Sequence, residues 1–260
     1  MKYMGSKSRI AKDIVPIIQS YITEKTVAYI EPFVGGANVI DKIRCKEKIG
    51  SDVNKYLIAL LKHVQSEYEL YESVNKELYS AARTAFNSGN TSEFENWQIG
   101  NIGFLASYNG RFFDGGYAKT GIEKTKNGER VRNYYEESKN NLLKQSKDKL
   151  FKDIQFYCNR YTDLDDGIKN CVIYCDPPYA GMKQYSSSAD FDHIEFWGIM
   201  REMSKNNIVI VSEENSTPDF ECIWEQEVSR SIKAKDKSVS TEKLFMFKGG
   251  MKWEYTLVVE

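Results

Sequence analysis

The sequence predicts an α/β protein: a wound, mostly parallel sheet interrupted by an inserted segment of different character. Three observations carry that expectation. Strand, glycine turn, helix and second strand signals follow one another between Thr26 and Val64, which is how a parallel, wound sheet begins. From about Ser66 to Lys149 the strand signals fade, aromatic and polar residues mix, and glycines gather at Gly103, Gly110, Gly115, Gly116, Gly121 and Gly128. Regular strand and helix punctuation then returns and runs to the last residues.

Each element has a local reason. Lys7 to Tyr21 sets Ile10, Ile14, Ile17, Ile18 and Tyr21 at helical spacing, with Pro16 as the one blemish. The stretch "TVAYIEPFVGGANVI" from Thr26 reads as a strand, a glycine turn and the start of a helix. Lys48 to Asp52 is a short strand ending in an acid, and Tyr56, Leu57, Leu60, Leu61 and Val64 give the next helix. Beyond the insertion, "IQFYC", "CVIYCDPPY", "NIVIVSEEN" and the terminal "KWEYTLVVE" read as strands, with a helical stretch around Ile194 to Met203. The domain boundaries follow: 1–65 with 150–260 form the sheet-bearing domain, and 66–149 an inserted domain with its own fold.

Bulk properties exclude several classes. A chain of 260 residues suits one sizeable core, or a core domain carrying an insertion, and 41% hydrophobic with 28% charged residues excludes global disorder. No apolar run approaches the roughly 20 residues of a membrane span, and the first residues are too polar for a signal peptide. The expectation is a protein of the cytoplasm with no membrane partner. Cys45, Cys158, Cys171, Cys175 and Cys222 are scattered, and His63 and His193 are the only histidines, so neither a disulfide framework nor a metal site is expected. Cys175, in an apolar strand, reads as a buried structural thiol rather than a nucleophile. A net charge of −1 gives no global argument for nucleic acid, yet basic residues cluster locally. Lys119, Lys124, Lys126, Arg130 and Arg132 are interleaved with acids and read as a solvated loop; a second group runs from Arg230 to Lys252.

The chemistry concentrates in two places. In "VIYCDPPY" a β-favouring run meets Asp176, Pro177, Pro178 and Tyr179. Two prolines supply no amide hydrogens and fix φ, so the ladder stops and Asp176 and Tyr179 are presented at the strand's carboxyl end, where open α/β sheets bind ligands. The bland alternative is a capped strand and a rigid turn. A carboxylate beside the carbonyl of Pro177 makes an acceptor pair for both hydrogens of a planar exocyclic amine, and Tyr179 offers a ring for a nucleobase to stack on, worth about 1–3 kcal/mol. A base in a duplex reaches such a site by flipping out. The second place is "EPFVGG", where Gly35 and Gly36 let backbone approach a ligand closely. Asp52 follows at the end of the next strand, near the spacing of roughly 20 residues at which an acid accepts from ribose hydroxyls. The longer G-x-G-x-x-G is absent, so a nucleoside-containing cofactor without a pyrophosphate cradle fits both features.

Glycine turn, ribose acid, insertion and D-P-P-Y, in this order, resemble the Dam-like, site-specific N6-adenine DNA methyltransferases of class alpha. "KYMGSK" is similar to that family's opening motif, and "FYCNRYTD", "YNG" and "VSEEN" fall where the family has similar segments, so the resemblance covers nearly the whole chain. It implies a Rossmann-like S-adenosylmethionine-dependent methyltransferase sheet with an inserted, mainly helical target-recognition domain, double-stranded DNA as partner, and no metal. It further implies that Tyr3 and Lys7 contact the cofactor, that Phe33, Gly35 and Gly36 shape its pocket, that Asp52 binds its ribose, and that Tyr157 and Cys158 lie near its adenine. Asp176, which also borders the cofactor, and Pro177 would grip the target amine, with Tyr179 stacked on the flipped base. Enzymes of this type occur in bacteria and their phages, where methylation marks DNA against restriction or for regulation.

Target recognition departs from the family pattern. Ser107 to Lys119, "SYNGRFFDGGYAK", is similar to a recognition turn that reads Y-N-G-L-x-R in GATC-recognising members. Arg111 takes the leucine position and Phe113 the arginine position, so GATC is not assigned. Tyr108, Asn109 and Arg111 are the expected base contacts, whereas Phe112 and Phe113 are expected to pack inside. "RSIKAKDKS", with Arg230, Lys233 and Lys235, lacks apolar periodicity and is similar to a family segment near the DNA backbone; a solvated charged loop is the alternative. Ser186 to Ser188 are a further guess for contact with the displaced strand. Two other functions stay open on the residues: the same fold acting on cytosine N4 or on RNA, and a DNA-binding protein without catalysis.

Overall fold

A computed structural model of the chain describes residues 1–67, 69–125, 128–179, 191–233 and 236–252, with backbone alone at 123–125, 229–233 and 236–239. Ser186 to Ser188 and the "KWEYTLVVE" strand from Trp253 onward lie outside the described residues. The chain forms two compact units. The first is Met1–Val15, Val34–Ile43 and Asp52–Cys158; the second is Pro16–Phe33, Arg44–Ser51 and Asn159–Glu260.

The first unit is mainly helical. α1 (Ala11–Ser20) begins in it, after a 3-10 turn at Lys7–Arg9. The helix expected from Lys7 therefore starts four residues later, and Pro16 is held inside it. α2 (Lys55–Ser66) starts where the Asn54 side chain accepts from the amides of Tyr56 and Leu57, and it buries Leu57, Ile58, Leu60, Leu61 and Val64. α3 (Lys76–Ser88) and α4 (Asn96–Gly100) follow, the latter widening into a π-turn over Asn101–Leu105. Phe86, Phe104, Phe112 and Phe113 pack ring on ring here, and Phe112 and Phe113 are buried, as their apolar character requires. α5 (Tyr134–Ser146), α6 (Lys149–Lys152) and strand β5 (Ile154–Tyr157) complete the unit.

Two expectations fail in this unit. The helix start read at the end of "GGANVI" is absent: Ala37 has φ +54 and only a 3-10 turn forms at Ile40–Lys42. The Gln145 amide takes the carbonyls of Gly36 and Ala37 at 3.2 and 2.8 Å, so these acceptors serve a distant side chain instead of a helix. The solvated loop read across Lys119 to Arg132 contains an antiparallel ribbon, β3 (Gly121–Thr125) with β4 (Gly128–Arg132). Its only apolar pair, Ile122 opposite Val131, faces solvent, which is why no alternating pattern announces it.

In the second unit six strands run in the order β2-β1-β6-β7-β9-β8. These are β1 (Tyr29–Glu31), β2 (Lys48–Ser51), β6 (Val172–Cys175), β7 (Ile208–Glu213), β8 (Phe220–Lys233) and β9 (Asp236–Phe247). β2, β1, β6 and β7 are parallel, and β9 joins β7 antiparallel. α7 (His193–Ser204) lays Phe196, Trp197, Met200 and Met203 on Ile30, Ile173, Val209 and Val211. β6 and β7 are buried throughout, as central parallel strands are.

β8 and β9 form a long hairpin that the sequence did not announce. β9 pairs with β7 only from Lys243 to Phe245, while its pairing with β8 continues to Lys233 opposite Asp236. Within "RSIKAKDKS", the described residues Arg230 to Lys233 and Asp236 to Ser238 thus lie on strand backbone, not in an aperiodic loop. A two-stranded arm needs no buried face, so its composition stays polar.

The core of the second unit yields a direct check. Ile173 on β6 is fully buried, and Ile173→Ala should lower stability by about 2–5 kcal/mol in urea denaturation; a loss under about 1 kcal/mol would mean that the site collapses around the deletion.

Candidate active site

Two strands of the second unit end at the candidate edge. β1 connects onward to β2 on one side, while its other neighbour, β6, arrives only after the insertion. The strand order therefore reverses between β1 and β6, the position at which open α/β sheets bind ligands beyond the strands' carboxyl ends. Pro32 and Phe33 follow β1, and Asp176 to Tyr179 follow β6, so both runs leave the sheet at that edge. Pro177 is buried and Asp176 is partly buried. The Tyr179 phenol donates to Glu242 Oε2 at 2.8 Å and lies 3.0 Å from Ser212 Oγ. Burial, then the charges of Asp176 and Glu242, hold that phenol far above its ordinary pKa. It is a neutral ring at any working pH.

Phe33 stands in an aromatic cluster of the same unit. It stacks on Tyr161 at 5.4 Å between ring centroids, and meets Phe191 and Phe196 edge-on at 5.9 Å each. The Tyr161 hydroxyl donates to Glu195 at 3.1 Å, and burial, with that bond, pushes its pKa up to about 12. Cys175 is fully buried, with its sulfur 3.4 Å from that of Met200. Burial raises its pKa well above the thiol range, which agrees with a packing role.

The first unit gathers most of the predicted cofactor residues. Asp52 accepts from the amide of Gly35 at 3.2 Å and from that of Asn54 at 2.9 Å, and its own amide donates to the Tyr157 carbonyl at 3.3 Å. Burial pushes the Asp52 carboxyl up to about 6, against the pull of those two amides. A carboxylate kept at the limit of its solvation has capacity left for further donors. Cys158, exposed and 3.7 Å from the Val53 carbonyl, has its pKa raised by burial and then by Asp52, so it is a poor nucleophile. Tyr157 is exposed, with Lys62 5.8 Å from its ring.

Tyr3 lies across the glycine turn. A Cβ on Gly35 would stand 2.9 Å from the Tyr3 ring, and one on Gly36 would stand 3.0 Å from Tyr3 Cβ and 2.6 Å from the Asn38 amide, so side chains are excluded there by contact. Asn38 in turn donates to the Met1 carbonyl at 3.1 Å and to Ser6 at 2.8 Å. Gln145 accepts from the Met1 amino group at 2.5 Å while holding the turn's carbonyls. Lys7 follows on the buried side of the 3-10 turn. Asn38 and Gln145 were not visible as site residues in the sequence, because nothing in the chain between them signals that they meet.

The turn expected to contact bases is in the same unit. Tyr108 and Asn109 are exposed, Asn109 with φ +56, and Arg111 is partly buried. Gly110 has φ +66, and a Cβ there would stand 2.5 Å from the Lys2 carbonyl. The turn and the opening motif are thereby pressed together. Beside Tyr108, Tyr134 lies 6.2 Å ring to ring, with the Arg132 guanidinium 4.4 Å over it. Lys2, Arg130 and Arg132 all reach Glu137 within 3.1–3.2 Å. Burial works against that carboxylate, but hydrogen bonds from Arg132 and Lys2 prevail and hold its pKa below the ordinary range. Arg130 and Arg132, expected as solvated charges, both pair with Glu137, and Arg130 stays exposed. Arg230 and Lys233 lie on the backbone of β8, and Lys235 falls outside the described residues.

Among the described residues no three His, Cys, Asp or Glu side chains are grouped to hold a metal ion, and no helix is long and apolar enough to cross a membrane. The family described as D12 class N6 adenine-specific DNA methyltransferase matches residues 3–236. The chain is 27% identical over 219 residues to the type II methyltransferase M.MjaIII of Methanocaldococcus jannaschii, covering 75% of this chain and 74% of that protein. It is 27% identical over 205 residues to a DNA adenine methylase of Salmonella typhi, 74% of this chain and 67% of the other. A DNA adenine methylase of Haemophilus influenzae is 27% identical over 210 residues, with 75% and 68% covered.

The contact between the recognition turn and the opening motif can be broken at one atom. Gly110→Ala adds a Cβ at positive φ against backbone and should cost about 1–3 kcal/mol, read as a lowered urea midpoint at unchanged slope.

Proposed function

Since the chain belongs to the D12 class N6 adenine-specific DNA methyltransferases, a family whose reaction uses S-adenosylmethionine, we propose that its residues divide this work between the two ends of the sequence motifs just described. The observation that carries the proposal is the D-P-P-Y run at the carboxyl end of β6, where the strand order reverses beside β1. Asp176 and the Pro177 carbonyl accept the two hydrogens of the adenine amine, drawing its lone pair out of conjugation, and Tyr179 stacks on the flipped base.

The first unit's residues suit the cofactor. The glycine turn is bare backbone, with Tyr3 and Asn38 packed where a Cβ would stand, and Asp52 is a partly buried acceptor beside it. Asp52 takes the ribose hydroxyls, the backbone of Gly35 and Gly36 shapes the turn beside them, and Tyr3, Lys7, Phe33, Tyr157, Cys158 and Asp176 are the further cofactor contacts. Bound S-adenosylmethionine supplies a methyl group on a sulfonium, already a good leaving group. The protein's task is then positioning, which contributes roughly 7–11 kcal/mol in well-oriented systems. No side chain need act as a covalent nucleophile.

Residues 66–149 serve target recognition and 1–65 with 150–260 serve the chemistry. Tyr108, Asn109 and Arg111 read bases of double-stranded DNA, supported by the exposure of Tyr108 and Asn109 on a turn with left-handed backbone at Asn109. Arg230, Lys233 and Lys235 contact phosphates, with an affinity that weakens as salt rises. DNA as substrate is in keeping with the cytoplasm of a bacterial or phage-infected cell as the enzyme's location.

The defining experiment is incubation with labelled S-adenosylmethionine and unmethylated DNA, followed by nucleoside digestion and mass spectrometry. Labelled N6-methyladenine is expected; labelled N4-methylcytosine would reassign the base, and label appearing only in RNA would reassign the substrate. Asp176→Ala should abolish transfer yet bind the cofactor, and near-normal turnover would remove the carboxylate from the mechanism. Binding that puts hydroxyl donors on ionised Asp52 is strongest where that group is already charged. Cofactor affinity in calorimetry should therefore fall as pH drops through about 6, while Asp52→Asn should bind about tenfold or more weaker at high pH and lose that dependence.

A further inference from the structure

The motif tyrosine is held at its far end as well as by its prolines. Its phenol has a single proton, which goes to Glu242, so at the other lone pair the Ser212 hydroxyl donates to Tyr179. Sheet register brings the three together. Ser212 on β7 stands opposite Leu244 on β9, and side chains repeat every two residues along a strand, so Glu242 shares the face of Ser212 one step further along. Ser212 is fully buried, and Tyr179 and Glu242 are partly buried.

A partly buried carboxylate on a strand face carries a desolvation cost that an apolar side chain there would avoid. What it provides is a strong, directional acceptor for one phenol. The hydroxyl adds nothing to stacking itself, since the ring face is the same without it. Its use is geometric. A phenolic O–H prefers the plane of its ring, so an acceptor on one side and a donor on the other define the plane of the ring, while the prolines define where its Cβ starts. The raised pKa of Tyr179 keeps the donated proton in place.

We propose that Glu242 and Ser212 are positioning residues for methyl transfer, setting the axis and plane of the Tyr179 ring before the base arrives. This rests on the reading that Tyr179 stacks on a flipped adenine. Glu242 acts through the phenol, not on the reacting atoms.

The test is a double-mutant cycle with Glu242→Gln and Tyr179→Phe, in single-turnover methyl transfer on a duplex carrying the mapped target. Each single variant should lose about tenfold to a hundredfold in rate with the cofactor dissociation constant unchanged, and the double variant should be no slower than the slower single. Should Glu242→Gln not fold, Ser212→Ala with Tyr179→Phe completes the same cycle. A second readout is the emission of 2-aminopurine at the target position, quenched on stacking in the wild type and brighter in the Glu242 variant. Losses that multiply in the double variant, or an unchanged emission, overturn the inference while the function stands. A wild-type protein that labels no adenine in DNA overturns the underlying reading and this inference with it.

Discussion

β1 and β6 are hydrogen-bonded neighbours although the whole insertion separates them in sequence, and both run out at the same edge of the sheet. Everything distinctive in the second unit depends on that pairing. It puts the reversal of strand order beside a strand that cannot continue, because Pro177 and Pro178 offer no amides. Asp176 is thus delivered by backbone constraint at the edge where open α/β sheets bind ligands, with its neighbours Cys175 and Ile173 fully buried beneath it. Few side chains could be aimed so reproducibly from a loop.

In the first unit the equivalent constraint is steric. Gly35 and Gly36 are bare because Tyr3 and Asn38 occupy the places their side chains would take. Gln145, from α5, then holds the carbonyls of the turn, and Asp52 accepts an amide from it. One turn is therefore tied to the opening motif, to the end of β2's sequence and to a helix that follows the recognition segment. A carboxyl pushed up to about 6 at that place is the electrostatic counterpart of so much backbone gathered around one acid.

How much of this was legible follows from whether a feature is local. The prolines of "DPPY", the glycine pair and the acid after the second strand each carry their reason within a few residues, strands β1, β6 and β7 lie where apolar runs place them, and β2 lies at the short strand read before Asp52. The helix after the glycine pair failed because its carbonyls are claimed by Gln145, more than a hundred residues away. The β8–β9 arm failed because a two-stranded ribbon needs no buried face, and so need keep no period. Glu242 could not be read at all: its meeting with Tyr179 is a product of register between β7 and β9. Ser212 sits within "VSEEN", a segment similar to the family's, yet only the sheet shows what its hydroxyl is for.

The separation of β1 from β6 also has a meaning for biosynthesis. Pairing strands so far apart in the chain is entropically costly and slow compared with closing a hairpin such as β8–β9. As the polypeptide leaves the ribosome, β1 and β2 emerge long before the strand that covers the open edge of β1. That edge, unpaired, is an invitation to foreign strands until β6 has been made. The shortness of β1, three residues from Tyr29 to Glu31, limits the hazard: a template so brief holds a wrong partner poorly, and leaves time for the right one to be synthesised.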